Sequence, residues 1–221
     1  MKEIYITAHA GAERTKPNTM ESLEKMINLP CQMVEVDVRK CDGKLVLSHD
    51  PLKQQESVTG FVKLSEALEF ICKNKKGVNL DLKEEILPEV FEELKNCLVS
   101  KKVVFSGSIR IADIEMHPEI AGKVILNYEN LYENSKEIKE NLKEAAVRCK
   151  ELGVYGINLE YTLVDRQVVE YFARQDVKVF VWTVDGLADM ERMLENQVDG
   201  ITTNEVWRLH ETIRRNNHEQ A

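Results

Sequence analysis

Val34-Glu35-Val36-Asp37-Val38 alternates β-branched apolar residues with carboxylates at a period of two, as in a strand with two unlike faces. The same alternation returns in Asn79-Leu80-Asp81-Leu82-Lys83 and in Ile6-Thr7-Ala8-His9. Strands of a closed parallel barrel read this way, with outward residues apolar against helices and inward residues filling the lumen. Val34, Val36, Val38, Val78, Leu80, Leu82, Ile6 and Ala8 then face out, leaving Thr7, His9, Glu35, Asp37, Asn79, Asp81 and Lys83 inside. The ionisable residues fall late in their strands, toward the C-terminal rim where barrel enzymes hold their chemistry.

Further along the chain, strand-like runs near 4–9, 33–39, 77–82, 103–107, 123–128, 155–160, 177–184 and 199–203 are separated mostly by amphipathic segments. Among these are Asn134–Leu152, Val164–Gln175 and Leu187–Gln197. Eight such units predict an α/β fold, a (β/α)8 TIM barrel forming a single domain over residues 1–221. A doubly wound open sheet is the rival, but Gly11-Ala12-Glu13-Arg14 lacks the GxGxxG turn usual there. Lys40-Cys41-Asp42-Gly43-Lys44 predicts a short β-hairpin extension after strand 2. A three-residue loop at 41–43 would pair Glu35 with His49 on one face. A two-residue Asp42-Gly43 loop would turn His49 to the valine face. Both fit the sequence, and the first is the expectation.

A formal charge of −8 and a pI near 5.3 argue against nucleic-acid and anionic-membrane partners. No apolar run approaches the ~20 residues of an integral membrane segment. The N-terminus enters a strand-like run with no signal-peptide core. Five cysteines (31, 41, 72, 97 and 149) show no CxxC spacing and read as reduced thiols of a cytoplasmic protein.

Glu35, Asp37 and Asp81 supply three inward carboxylates on neighbouring strands. All-oxygen anionic ligation suits one hard divalent cation, Mg²⁺ or Ca²⁺, whereas zinc would want Cys or more His. The competing reading pairs one or two of these acids with Lys83, but a single lysine cannot neutralise three. His9 and His49 flank the cluster, so one can act as base and the other as acid near neutral pH. Lys83 can hold a phosphate as a point charge. Trp182, in Val181-Trp182-Thr183-Val184, either walls a substrate pocket or simply fills the barrel. His117, His210 and His218 read as surface or helix-end residues.

Taken together, these motifs resemble the glycerophosphodiester phosphodiesterase family over essentially the whole length. The matching positions are His9 and Gly11, Asn18-Thr19, Glu35-Val-Asp37, Asp42-Gly43, His49-Asp50, Asp81-Leu-Lys83, Val181-Trp182-Thr183-Val184 and Asp199-Gly200-Ile201-Thr202-Thr203. The resemblance implies hydrolysis of a small-molecule phosphodiester substrate to glycerol 3-phosphate and an alcohol. It places a divalent metal at Glu35, Asp37 and Asp81, with His9 and His49 as acid and base. It further implies that the substrate's own neighbouring hydroxyl attacks phosphorus. The chain departs from the family pattern at several positions. Ala10 stands for a phosphate-gripping arginine, Pro17 for a glutamate, Asp81 for the commoner Glu, and Asn204 for an aspartate. Asp81 also resembles the sphingomyelinase D branch, and the loop at Pro51–Gly60 is short. These departures keep two alternatives open: a phospholipase D-like or lysophospholipid-directed phosphodiesterase, and a non-catalytic phosphate-ligand-binding relative.

Overall fold

The computed structural model describes residues 4–52, 58–95, 103–132 and 138–219, and each of the eight predicted strand segments forms a strand in it. These are β1 (Tyr5–Ala8), β2 (Met33–Cys41), β4 (Gly77–Leu82), β5 (Val103–Gly107), β6 (Ile125–Asn127), β7 (Gly156–Glu160), β8 (Lys178–Trp182) and β9 (Gly200–Thr203). All pair in parallel, in the order β5-β4-β2-β1-β9-β8-β7-β6. A parallel bridge between Phe105 and Val124 links the two ends, so the sheet curls into a nearly closed TIM barrel.

Helices α1 (Met20–Met26), α2 (Leu64–Lys73), α3 (Leu87–Lys95), α4 (Ile111–Met116), α5 (Pro118–Ala121), α6 (Ile138–Leu152), α7 (Arg166–Ala173), α8 (Leu187–Glu195) and α9 (Val206–Glu219) connect the strands. Thr19 caps α1 by accepting from Ser22 N–H, and Asp165 caps α7 by accepting from Val168 N–H. The predicted start of α6 near Asn134 lies outside the described residues, as do residues 53–57 of the loop after His49. None of the described helices is long and apolar enough to cross a membrane.

The outward set follows the predicted alternation. Val34, Val36, Val38, Val78, Leu80 and Leu82 are buried in one continuous layer between sheet and helices. Each such side chain contributes about 1.5–3 kcal/mol by leaving water. Inside the barrel, Met33, Ile125 and Phe180 form a separate apolar plug near the N-terminal ends of the strands. Gly200 and Gly156 make room for the Phe180 ring, which a Cβ at Gly200 would approach to 2.4 Å. This plug is the floor beneath the polar rim.

The hairpin register differs from expectation. Strand β3 (Lys44–Leu47) pairs Cys41 with Lys44 and Val38 with Leu47, so the loop is the two residues Asp42 and Gly43. Their φ values of 47° and 74° match the type I′ turn that Asp-Gly favours because its twist suits the ribbon. Glu35 therefore does not face His49 across the ladder. Pairing ends at Leu47, Ser48 N–H donates to Asp37 C=O at 3.0 Å, and the chain leaves the ribbon before His49.

Candidate active site

Register builds the site. Glu35 lies beside Asn79 and Asp37 beside Asp81 across the β2–β4 ladder, so successive inward positions stack carboxylates toward the rim. Asn79 Nδ2 donates to Glu35 Oε2 at 2.9 Å, while its Oδ1 accepts from Ser106 Oγ at 3.0 Å on β5. Asn18, in a left-handed conformation before α1, donates Nδ2 to Asp37 Oδ2 at 2.7 Å and accepts Asp37 N–H at 3.1 Å. This two-point clamp fixes the Asp37 carboxylate. Lys83 Nζ stands between Asp37 Oδ1, at 2.9 Å, and Asp81 Oδ2, to which it donates a hydrogen bond.

His9, at the end of β1, presents Nε2 3.6 Å from Glu35 Oε1 and has Nδ1 3.0 Å from Asn204 Oδ1. His49 is largely exposed and holds Asp50 Oδ1 3.0 Å from its Nδ1. Both imidazoles line one cleft of about 520 Å³ together with Glu35, Asp81, Lys83 and Trp182. Six of the seven predicted site residues thus share this cleft. The seventh, Asp37, is buried against Lys83 and Asn18. His49 arrives by leaving the ribbon, not by the cross-strand pairing with Glu35 that the sequence suggested.

Lys83 is the one lysine or arginine among the described residues of the cleft wall. Ala10 is buried and Arg14 is exposed, and neither lines the cleft. The arginine missing at position 10 is not replaced from the same loop.

The electrostatics are those of an undercompensated acid cluster. Burial, then the nearby Asp81 and Asp37 carboxylates, push the Glu35 carboxyl up to about 8. Burial also raises Asp81 in spite of its lysine partner. Lys83 loses something to burial but is held above its ordinary value by Asp81 and Asp37. Among the described residues no three acidic, thiol or imidazole groups form a ready metal cage, and Lys83 stands between Asp37 and Asp81. The pairing of two acids with Lys83 is therefore real, and it leaves Glu35 over. The all-oxygen donors and their surplus negative charge fit a hard divalent cation.

Glu35 gains stability from being protonated in the fold, so its contribution is full below its ordinary value of 4.5 and is lost as pH rises through about 8. In chelator, Glu35→Gln should escape that loss and exceed the parent at pH 8.5 by on the order of 3–5 kcal/mol in urea melts. Equal pH slopes for the two proteins would show that Glu35 is not short of counter-charge. Gly107, at φ +89°, lies against the site, and a Cβ there would come 2.3 Å from Asp81 Oδ1 and Leu82 C=O. Gly107→Ala should cost about 2–4 kcal/mol of stability, since strained backbone and overpacking add. An unchanged melting temperature would contradict this close approach.

Asn18, Asn79 and Asn204 also shape the site, as does Asp185, whose Oδ2 accepts from Asn204 Nδ2 at 2.9 Å, although none was a candidate on sequence. Asn18 and Asn204 sat in the quoted motif or among the departures, without a chemical role.

A model of the Glycerophosphoryl diester phosphodiesterase family matches residues 9–98 and 52–207. Over 244 aligned residues the chain is 30% identical to a glycerophosphodiester phosphodiesterase of Caldanaerobacter subterraneus subsp. tengcongensis, covering 97% of this chain and 99% of that protein. A glycerophosphodiester phosphodiesterase from Parabacteroides distasonis superposes with a TM-score of 0.79 at 19% identity, over 98% of this chain and 99% of that one. An Oleispira antarctica phosphodiesterase, solved in complex with the product sn-glycerol-3-phosphate, gives a TM-score of 0.74 at 18% identity, over 95% and 96% of the two chains.

Proposed function

The chain belongs to the glycerophosphoryl diester phosphodiesterase family, and from that membership we propose that it hydrolyses glycerophosphodiesters to glycerol 3-phosphate and an alcohol. The observation that carries the proposal is two imidazoles opening on one cleft beside three carboxylates that a single lysine undercompensates. In this reading residues 1–221 are one catalytic domain of a cytoplasmic enzyme.

Glu35, Asp37 and Asp81 would hold one Mg²⁺ or Ca²⁺. Such an ion would supply Lewis acidity against charge building on the phosphoryl oxygens. Lys83 offers a phosphate the one permanent side-chain cation among the described residues of the cleft wall, and its pairing with Asp37 and Asp81 holds the ammonium at the rim. One histidine takes the proton of the attacking substrate hydroxyl and the other gives a proton to the departing alcohol; water, deprotonated in its turn, then opens the resulting cyclic phosphodiester to glycerol 3-phosphate. Asp50 steadies His49 for its part. Apart from Trp182 and the backbone around Leu82, the described cleft wall is polar or glycine. It thus suits a hydrophilic diester better than an acyl chain, with Trp182 as a wall for the glycerol carbons.

The test is an assay of purified protein on glycerophosphocholine with Mg²⁺, with Ca²⁺ and with chelator. Release of glycerol 3-phosphate and choline only with a divalent ion is expected. Phosphocholine release would overturn the regiochemistry. Preference for lysophosphatidylcholine would favour the lipid-directed alternative, and calorimetric binding without turnover would favour a non-catalytic relative.

A further inference from the structure

We infer that Asp185 and Asn204 are positioning residues that lock the neutral His9 ring with its proton on Nδ1, leaving Nε2 as the atom that exchanges protons with substrate. For its catalytic consequence the inference rests on the hydrolase reading, but its structural content does not.

A carboxylate only accepts hydrogen bonds, and an amide side chain has one accepting and one donating end. Asp185 Oδ1 takes Thr203 Oγ1 at 2.9 Å and the Asn204 backbone N–H at 2.7 Å. Asp185 Oδ2 lies 2.9 Å from Asn204 Nδ2, which must donate there. The amide therefore cannot be reversed, because reversal would set its oxygen against a carboxylate oxygen. With the orientation settled, Asn204 Oδ1 is the atom 3.0 Å from His9 Nδ1, and it can only accept. The His9 hydrogen must then sit on Nδ1. Nε2 is left with its lone pair, 3.6 Å from Glu35 Oε1 and open to the cleft.

The frame around this chain of contacts is rigid. Asn204 directly follows β9, and His9 N–H donates to Thr203 C=O at 3.0 Å, which ties the ends of β1 and β9 together. Arg208, in the first turn of α9, donates to Asp185 C=O at 2.8 Å. His49 has no comparable lock: its only side-chain partner among the described contacts is the exposed Asp50. The two histidines are thus held to different degrees, and His9 is the one whose reactive nitrogen is fixed before substrate arrives. Such preorganisation contributes to rate because the ring need not turn or change tautomer during the reaction.

The test reads the tautomer directly. Long-range ¹H–¹⁵N correlation spectra of chelator-treated protein labelled on histidine, at a pH where His9 is neutral, should show the Nδ1-protonated pattern for His9. In Asn204→Leu the ring should revert toward the Nε2-protonated form that free imidazole side chains favour, and kcat on glycerophosphocholine should fall about 10²-fold with KM within about threefold. Asn204→Asp alone sets two carboxylates face to face and should be impaired. Asp185→Asn combined with Asn204→Asp restores one donor between them and keeps an acceptor on His9 Nδ1, so it should recover both the spectrum and most of kcat.

An Nδ1-protonated ring that persists in Asn204→Leu would overturn the inference, as would a double variant no faster than that single one. If the parent shows the expected spectrum but hydrolyses no glycerophosphodiester, the lock stands and the hydrolase reading falls.

Discussion

Replacing His9 or His49 by alanine should lower kcat for glycerophosphodiester hydrolysis by about 10²–10⁴ for each residue. Both imidazoles open on the cleft that holds Glu35, Asp81 and Lys83, where each can exchange a proton with substrate. Because the two would act on one proton transfer sequence, the double variant should be little slower than the worse single one. His9 is half-exposed and His49 more so, so neither change should cost much stability. Unchanged circular dichroism melts would separate lost chemistry from lost folding. A double variant that turns over substrate at the parent rate would remove both residues from the mechanism.

Lys83→Met should have two separable effects. In chelator it leaves Asp37 and Asp81 facing each other without their shared ammonium, next to an already undercompensated Glu35. Breaking such a buried arrangement costs about 3–5 kcal/mol, readable in urea denaturation. Saturating Mg²⁺ or Ca²⁺ should return much of that stability, because the ion supplies the lost positive charge. Activity should not return with it, and kcat/KM should remain down by about 10²–10³, since the phosphate has lost its permanent cation. Stability that is insensitive to divalent ions in the variant would deny the carboxylates their proposed ion. Full activity with the ion present would deny Lys83 its phosphate.

The barrel was legible because period-two alternation states both faces of a strand at once. Val34, Val36 and Val38 named the helix-facing side of β2, and Glu35 and Asp37 had to take the other. Positions late in β1, β2 and β4 then shared the rim by topology alone. The hairpin was harder. One residue of loop length decides the face of everything beyond it, and the preference of Asp42-Gly43 for a type I′ turn outweighed the pairing that would have joined Glu35 to His49. His49 reaches the cleft because β3 stops at Leu47, and no pattern in the sequence marks that stop.

The amides were least legible of all. Asn18 reaches Asp37 from a left-handed turn, and Asn204 reaches His9 across 195 residues, so neither belongs to a local period. Their roles depend on which end of the amide faces which partner, a property that appears only once the partners are placed.

The most direct measurement of the central claim is calorimetric titration of Mg²⁺ and Ca²⁺ into chelator-stripped protein, alongside the Glu35→Gln, Asp37→Asn, Asp81→Asn triple variant. One ion per parent chain, lost in the triple variant together with glycerol 3-phosphate release, is the predicted result. Glycerol 3-phosphate release by the triple variant at the parent rate, with no ion bound to either protein, would contradict it.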